Sequence, residues 1–99
     1  MKIRYSHRLG SVEAHKRIDD LIPQLELGYG DQISNASYKW QSNNQRMDFS
    51  FRVRRFDIRG YVHIRDSEIE LDAGIPFLAR MFEGRIREGI IQNLDKIMK

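Results

Sequence analysis

The sequence predicts an α+β fold: a strand, a helix, four antiparallel strands and a second helix, with both helices packed on one face of the antiparallel sheet. Three observations carry this expectation. Residues 46–54 alternate apolar and polar side chains, with Met47, Phe49, Phe51 and Val53 on one side. Residues 58–65 and 68–73 repeat that period of two. The segments before Gly28 and after Pro76 instead space their apolar residues three and four apart. A period of two is a strand with one wet face, and a period near 3.6 is a helix with one buried stripe.

Each element follows in order. Residues 2–8 place Ile3, Tyr5 and His7 opposite Lys2, Arg4 and Arg8, a short half-buried strand that Gly10 breaks. Ser11 is positioned to cap the next helix, and Glu13 suits its N-terminal dipole. Val12, Ile18, Leu21, Ile22 and Leu25 supply the helix's apolar stripe. Pro23 predicts a kink or an early end, because proline inside a helix removes a hydrogen bond and clashes with the carbonyl four residues back.

Gly28 and Gly30 close the helix, and residues 34–41 alternate through Ala36, Tyr38 and Trp40. Residues 42–45, SNNQ, have turn chemistry and lead into the strand at 46–54. A turn near Arg55 to Asp57 follows, then a strand whose inward side is Ile58, Gly60, Val62 and Ile64. Asp66-Ser67 reads as a two-residue hairpin turn. It sets Arg65 opposite Glu68, His63 opposite Glu70 and Tyr61 opposite Asp72. Ile69, Leu71 and Ala73 complete the inward face before Gly74. From there Leu78, Met81 or Phe82, Ile86, Ile90, Leu94 and Ile97 predict one long amphipathic helix, with Pro76 tolerated at its start.

Ninety-nine residues make a single domain, residues 1–99, with one modest core. Apolar content of 40% and charged content of 31% are those of an ordinary globular chain, without repeats or low-complexity tracts. With no cysteine, disulfides, thiolate nucleophiles and cysteine-based zinc sites are excluded, and a reducing compartment, the cytoplasm, is expected. The start MKIRYSHRLG lacks an apolar h-region, and no stretch reaches the roughly eighteen apolar residues of a membrane span. A net charge of +3 permits an anionic partner without requiring one.

His7, His15 and His63 lie on separate elements and form no metal-ligand pattern, and no glycine-rich run or Gly-x-Ser-x-Gly motif supports a cofactor loop or a nucleophile. Glu68, Glu70 and Asp72 allow an acid–base reading, but cross-strand pairing with Arg65, His63 and Tyr61 accounts for them more simply. Catalytic, cofactor and metal sites are therefore expected to be absent.

Arg52, Arg54, Arg59 and Arg65, with Arg46, Lys39 and Tyr61, gather on the outward strand face and form a candidate anion-binding surface. Because Phe49 and Phe51 point inward, too few aromatics remain for base stacking, and a solvated face is the simpler reading. An interfacial role for the last helix, with Arg80, Arg85, Arg87, Lys96 and Lys99 at the boundary, competes with core packing. Core packing is favoured, since leaving each inward strand residue wet forgoes about 1.5–3 kcal/mol.

Several features occur together: Ile3-x-Tyr5-x-His7-x-Leu9-Gly10, Ala14 and Arg17, the Tyr29-Gly30 break, Met47-x-Phe49, Gly60, Ile69-x-Leu71, Phe77-Leu78, Ile90 and Asn93-Leu94-Asp95. Over nearly the whole chain this pattern resembles the polyhydroxyalkanoic acid system family of small bacterial proteins. The resemblance implies an association with polyhydroxyalkanoate storage and no mechanism; together with the absence of a catalytic constellation it leads to the expectation of a non-catalytic accessory, with the granule or its proteins as partner and a cytoplasmic location at storage granules. It carries over no catalytic residue. For a granule contact, Phe56 at a strand turn and Phe77 at the start of the last helix are the apolar candidates. Two alternatives stay open: an anion- or nucleic-acid-binding module using the arginine face, and a small domain holding a hydrophobic ligand between helix and sheet. A homodimer is compatible with all three.

Overall fold

The structure, a computed structural model, describes residues 1–98. Lys99, placed above on the basic flank of the last helix, lies outside the described residues. The chain runs β1 (Lys2–Ser6), α1 (Gly10–Tyr29), β2 (Ile33–Trp40), β3 (Arg46–Val53), β4 (Phe56–Ile64), β5 (Glu68–Gly74), a 3-10 turn (Phe77–Phe82) and α2 (Glu83–Met98). The strands form one antiparallel sheet in the order β1-β5-β4-β3-β2. An α+β fold with both helices on one sheet face is therefore what the sequence builds.

Period two sorts the sheet into its two faces. Ile3, Met47, Ile58, Val62, Ile64, Ile69, Leu71 and Ala73 line the inner face and pack with Ala14 and Ile18 of α1 and with Leu94 and Met98 of α2. α1 lies toward β2, where the Trp40 and His15 rings meet tilted, centroids 4.0 Å apart, and Trp40 donates from Nε1 to Asp19. α2 lies toward β1: Arg87 donates to the Lys2 carbonyl at 2.7 Å, and Tyr5 bonds Asp95. Arg17 joins the helices by donating to the Ile97 carbonyl at 2.8 Å, supplying a partner at the C-terminus of α2.

The hairpins follow their turn chemistry. Ile64 faces Ile69 across the Asp66-Ser67 turn, so the pairs Arg65–Glu68, His63–Glu70 and Tyr61–Asp72 fall where alternation places them. Between β3 and β4 the turn is Arg54-Arg55, earlier than expected, with Arg54 at φ +57°. The strand at 34–41 begins at Ile33 and is interrupted by a bulge between Ser34 and Ser37, where Asn35 adopts φ +53°. Gly60 is required by close approach: a Cβ there would lie 2.0 Å from the Asp72 carbonyl oxygen of the neighbouring strand.

Four expectations are corrected. Ser11 lies inside α1, and its N–H is bonded from a distance by the Asp66 side chain at 3.3 Å. Val12 is 85% exposed, since six residues of helical rotation separate it from Ile18 and place it on the far side; the stripe starts at Ala14. The early end at Pro23 does not occur: α1 runs through Pro23 to Tyr29. Asp19 and Pro23 are both exposed, so water can satisfy the carbonyl that proline leaves unpaired, while Ile18, Leu21 and Ile22 anchor the helix on the core side. Finally, the long last helix is divided. Pro76 is extended (ψ 146°), only Ala79 of the 3-10 turn is buried, and Phe77, Leu78 and Met81 are 81%, 74% and 82% exposed. Ile90, Leu94 and Ile97 do face inward on α2, with Ile86 half-buried one turn before them.

Candidate functional site

The outer face of the sheet carries no helix, and the residues on it were the sequence's candidates for anion binding. Packing divides them. Arg65 reaches Glu68 at 3.5 Å and Glu70 at 3.3 Å, and Arg52 lies 3.9 Å from Asp57, its cross-strand partner. Arg46 bonds Asp48 and lies 4.2 Å over the Tyr61 ring, covering the one outward aromatic available for stacking on a base. Arg54 and Arg59 have no ion-pair partner among the described residues. Of Arg52, Arg54, Arg59 and Arg65, the structure thus pairs two with carboxylates and leaves two without an ion-pair partner among the described residues. Two are neutralised and two are free.

Glu70 is the centre of the neutralised half. Its side chain is 9% exposed and is ringed by Lys2 at 3.4 Å, Arg4 at 3.8 Å and Arg65 at 3.3 Å. Desolvation pushes its proton affinity up, but the hydrogen bonds and charges of Lys2 and Arg65 outweigh it and hold the carboxyl below the usual glutamate range. A general acid needs the opposite shift. Asp48 is likewise lowered, first by a hydrogen bond from Gln41 and then, against a desolvation effect, by Arg46.

His7, which is buried, is held on both nitrogens. Nδ1 accepts from the Leu9 N–H at 3.1 Å and Nε2–H donates to the Arg65 carbonyl at 3.1 Å, which ties β1 to the β4–β5 turn. His15 and His63 lie elsewhere, and no group of three or more His, Asp or Glu that could hold a metal ion occurs among the described residues. An open groove between the helices, lined by Leu21, Leu25, Asn93, Lys96 and Ile97, lies at the surface. The layer between helix and sheet, where the sequence allowed a ligand, is filled by the core.

The apolar candidates also part. Phe56 is half-buried at the start of β4, its ring on the inner face opposite Val53, and does not project as expected. Phe77 does project. With it come Leu78 and Met81, which the sequence assigned to the core or left unsingled, and Phe82 at 38% exposure. The local signal for this turn is Pro76, concealed by a helical period that runs through it.

These features define a class: a small α+β domain with one sheet face sealed by helices, an open face whose charges are only partly paired and one exposed apolar turn. The chain belongs to the family described as "Putative polyhydroxyalkanoic acid system protein (PHA_gran_rgn)", whose model matches residues 1–98. No curated protein and no solved structure matches it. No helix among the described residues is long and apolar enough to cross a membrane.

Proposed function

We propose that this protein is a non-catalytic accessory of polyhydroxyalkanoate storage, held at the granule surface by its 3-10 turn. The observation that carries the reading is the exposure of Phe77, Leu78 and Met81 side by side in a single turn. Single exposed apolar residues are ordinary, whereas a contiguous group marks a contact surface. Family membership supplies the setting. The commitment of Glu68 and Glu70 to cationic partners supports a binding role over acid–base chemistry.

The test is fractionation of a polyester-accumulating bacterium expressing the tagged protein. Wild type should sediment with purified granules, and Phe77→Ser combined with Met81→Ser should move it to the supernatant with an unchanged melting temperature. A wild-type protein found wholly in the supernatant would overturn the reading.

A further inference from the structure

The topology gathers two kinds of exposed residue at one end of the molecule. β5 ends at Gly74, paired with Arg59, and the chain then continues toward the β3–β4 turn. The 3-10 turn therefore emerges at the same end of the sheet as Arg54 and Arg55. α1 ends there too, since Ile33, which follows it, pairs with Val53. A hollow lined by Gly30, Asp31, Ile33, Val53 and Arg54 lies at this end, on the β2–β3 side. At the opposite end, with the Asn43–Asn44 and Asp66-Ser67 turns, Val12 is the one large apolar residue among the described residues that is exposed.

At this end Phe77, Leu78 and Met81 stand in water, and Arg54, Arg55, Arg59, Arg80 and Arg85 have no carboxylate within ion-pair distance among the described residues. Glu26, Asp31, Asp57, Asp72 and Glu83 are acidic residues of the same region, of which Asp57 is engaged by Arg52 and Glu26 by the Tyr38 hydroxyl, so the unpaired arginines are in excess. Arg54 also holds a left-handed backbone, φ +57°, that a non-glycine residue adopts at a cost. The region is thus apolar with a cationic rim.

We infer that this end docks on an anionic lipid layer, the apolar turn entering the acyl boundary while the arginines meet headgroup phosphates. The inference rests on the proposed surface role and names the chemistry of that surface. Charge complementarity selects the occupant. A bare polyester offers carbonyl acceptors but few anions, so the arginines would lose water without compensation. A nucleic acid would satisfy the arginines and leave the apolar turn wet, and Tyr61 is already covered by Arg46. Only an anionic amphiphile answers both halves, and two weak signals together give the stable attachment that neither gives alone.

The experiment is flotation of the full chain with vesicles of phosphatidylcholine alone and of equal parts phosphatidylcholine and phosphatidylglycerol, at low and high salt. Wild type should float with the anionic vesicles and hardly with the zwitterionic ones. Arg54→Gln, Arg55→Gln and Arg59→Gln should each weaken anionic binding by roughly fivefold, the value of one basic residue at such a surface. Phe77→Ser with Met81→Ser should leave binding that high salt abolishes. Circular dichroism and melting confirm that each variant is folded. Equal binding to both vesicles, no binding to either, or affinity unchanged in both sets of variants would overturn the inference, as would tighter binding to duplex DNA or to bare polyhydroxybutyrate particles. Granule sedimentation with no vesicle binding rejects the lipid and leaves the storage role standing. Vesicle binding without granule sedimentation does the reverse.

Discussion

The hydroxyl of Tyr5 donates to Asp95 Oδ1 at 2.5 Å, joining the edge strand to the last helix across ninety positions of sequence. The bond to a charged acceptor, then burial, then the carboxylate's charge push the Tyr5 phenol up to about 12. Folded Tyr5 therefore keeps its proton at a pH where the unfolded chain, near 10, loses it. The stability this bond contributes is complete below pH 10 and falls as pH rises toward 12. Tyr5→Phe should cost about 1–2 kcal/mol near neutral pH, measured by urea unfolding. It should also remove one late-titrating phenol from the ultraviolet titration. Tyr38, raised to about 12 by burial and then by Glu26, remains in that titration as an internal control.

Glu70 gives the acid limb. Because its folded proton affinity is lowered, its contribution is present above the ordinary glutamate range and is lost as pH falls through it. Glu70→Gln should melt at a lower temperature than wild type at neutral pH, since Lys2, Arg4 and Arg65 then face one another without the carboxylate. The difference should shrink in acid. A constant difference across the whole range would remove Glu70 from the acid response.

The division of the last helix is testable by a pair of truncations. Leu94→Ala, at 4% exposure, should cost about 2–5 kcal/mol, as cavity-forming changes do. Phe82→Ala, at 38% exposure, should cost no more than about 1 kcal/mol in the same denaturation series. Equal losses would mean that the apolar stripe runs unbroken from Leu78.

Gly60→Ala tests the closest approach in the sheet. The added methyl meets the Asp72 carbonyl and the Ala73 Cα, both backbone atoms that cannot rotate away. The strands must separate, and a loss of about 3 kcal/mol is expected, the upper range for overpacking. Gly84→Ala, whose methyl meets nothing within 4 Å, should be neutral or stabilising in the same thermal melts.

How much of this was legible in the sequence depends on the range of the forces involved. β3, β4 and β5 were readable because alternation and the Asp66-Ser67 turn are local properties, while the β3–β4 turn falls earlier, at Arg54-Arg55, than the alternation indicated. Once Asp66-Ser67 is the turn, the pairing of His63 with Glu70 follows by counting. The enclosure of Glu70 was not readable, because Lys2 and Arg4 arrive from β1, which only the sheet order brings beside β5. Capping followed the same logic. Ser11 looked like the local cap, yet the acceptor for its N–H is Asp66, fifty-five residues away.

Residue order by itself therefore determined the strand and helix inventory, the inward faces of the hairpins, the absence of cysteine chemistry and the resemblance to a family whose model matches residues 1–98. Tertiary structure alone decided which apolar residues stay wet. Phe77, Leu78 and Met81 have the same chemistry as Ile90 and Leu94, and the same period runs through both groups. Periodicity states which side chains share a face but not whether a partner covers it. Beyond Pro76 the chain reaches the end of the sheet, only Ala79 finds the core, and the turn before α2 is left facing out.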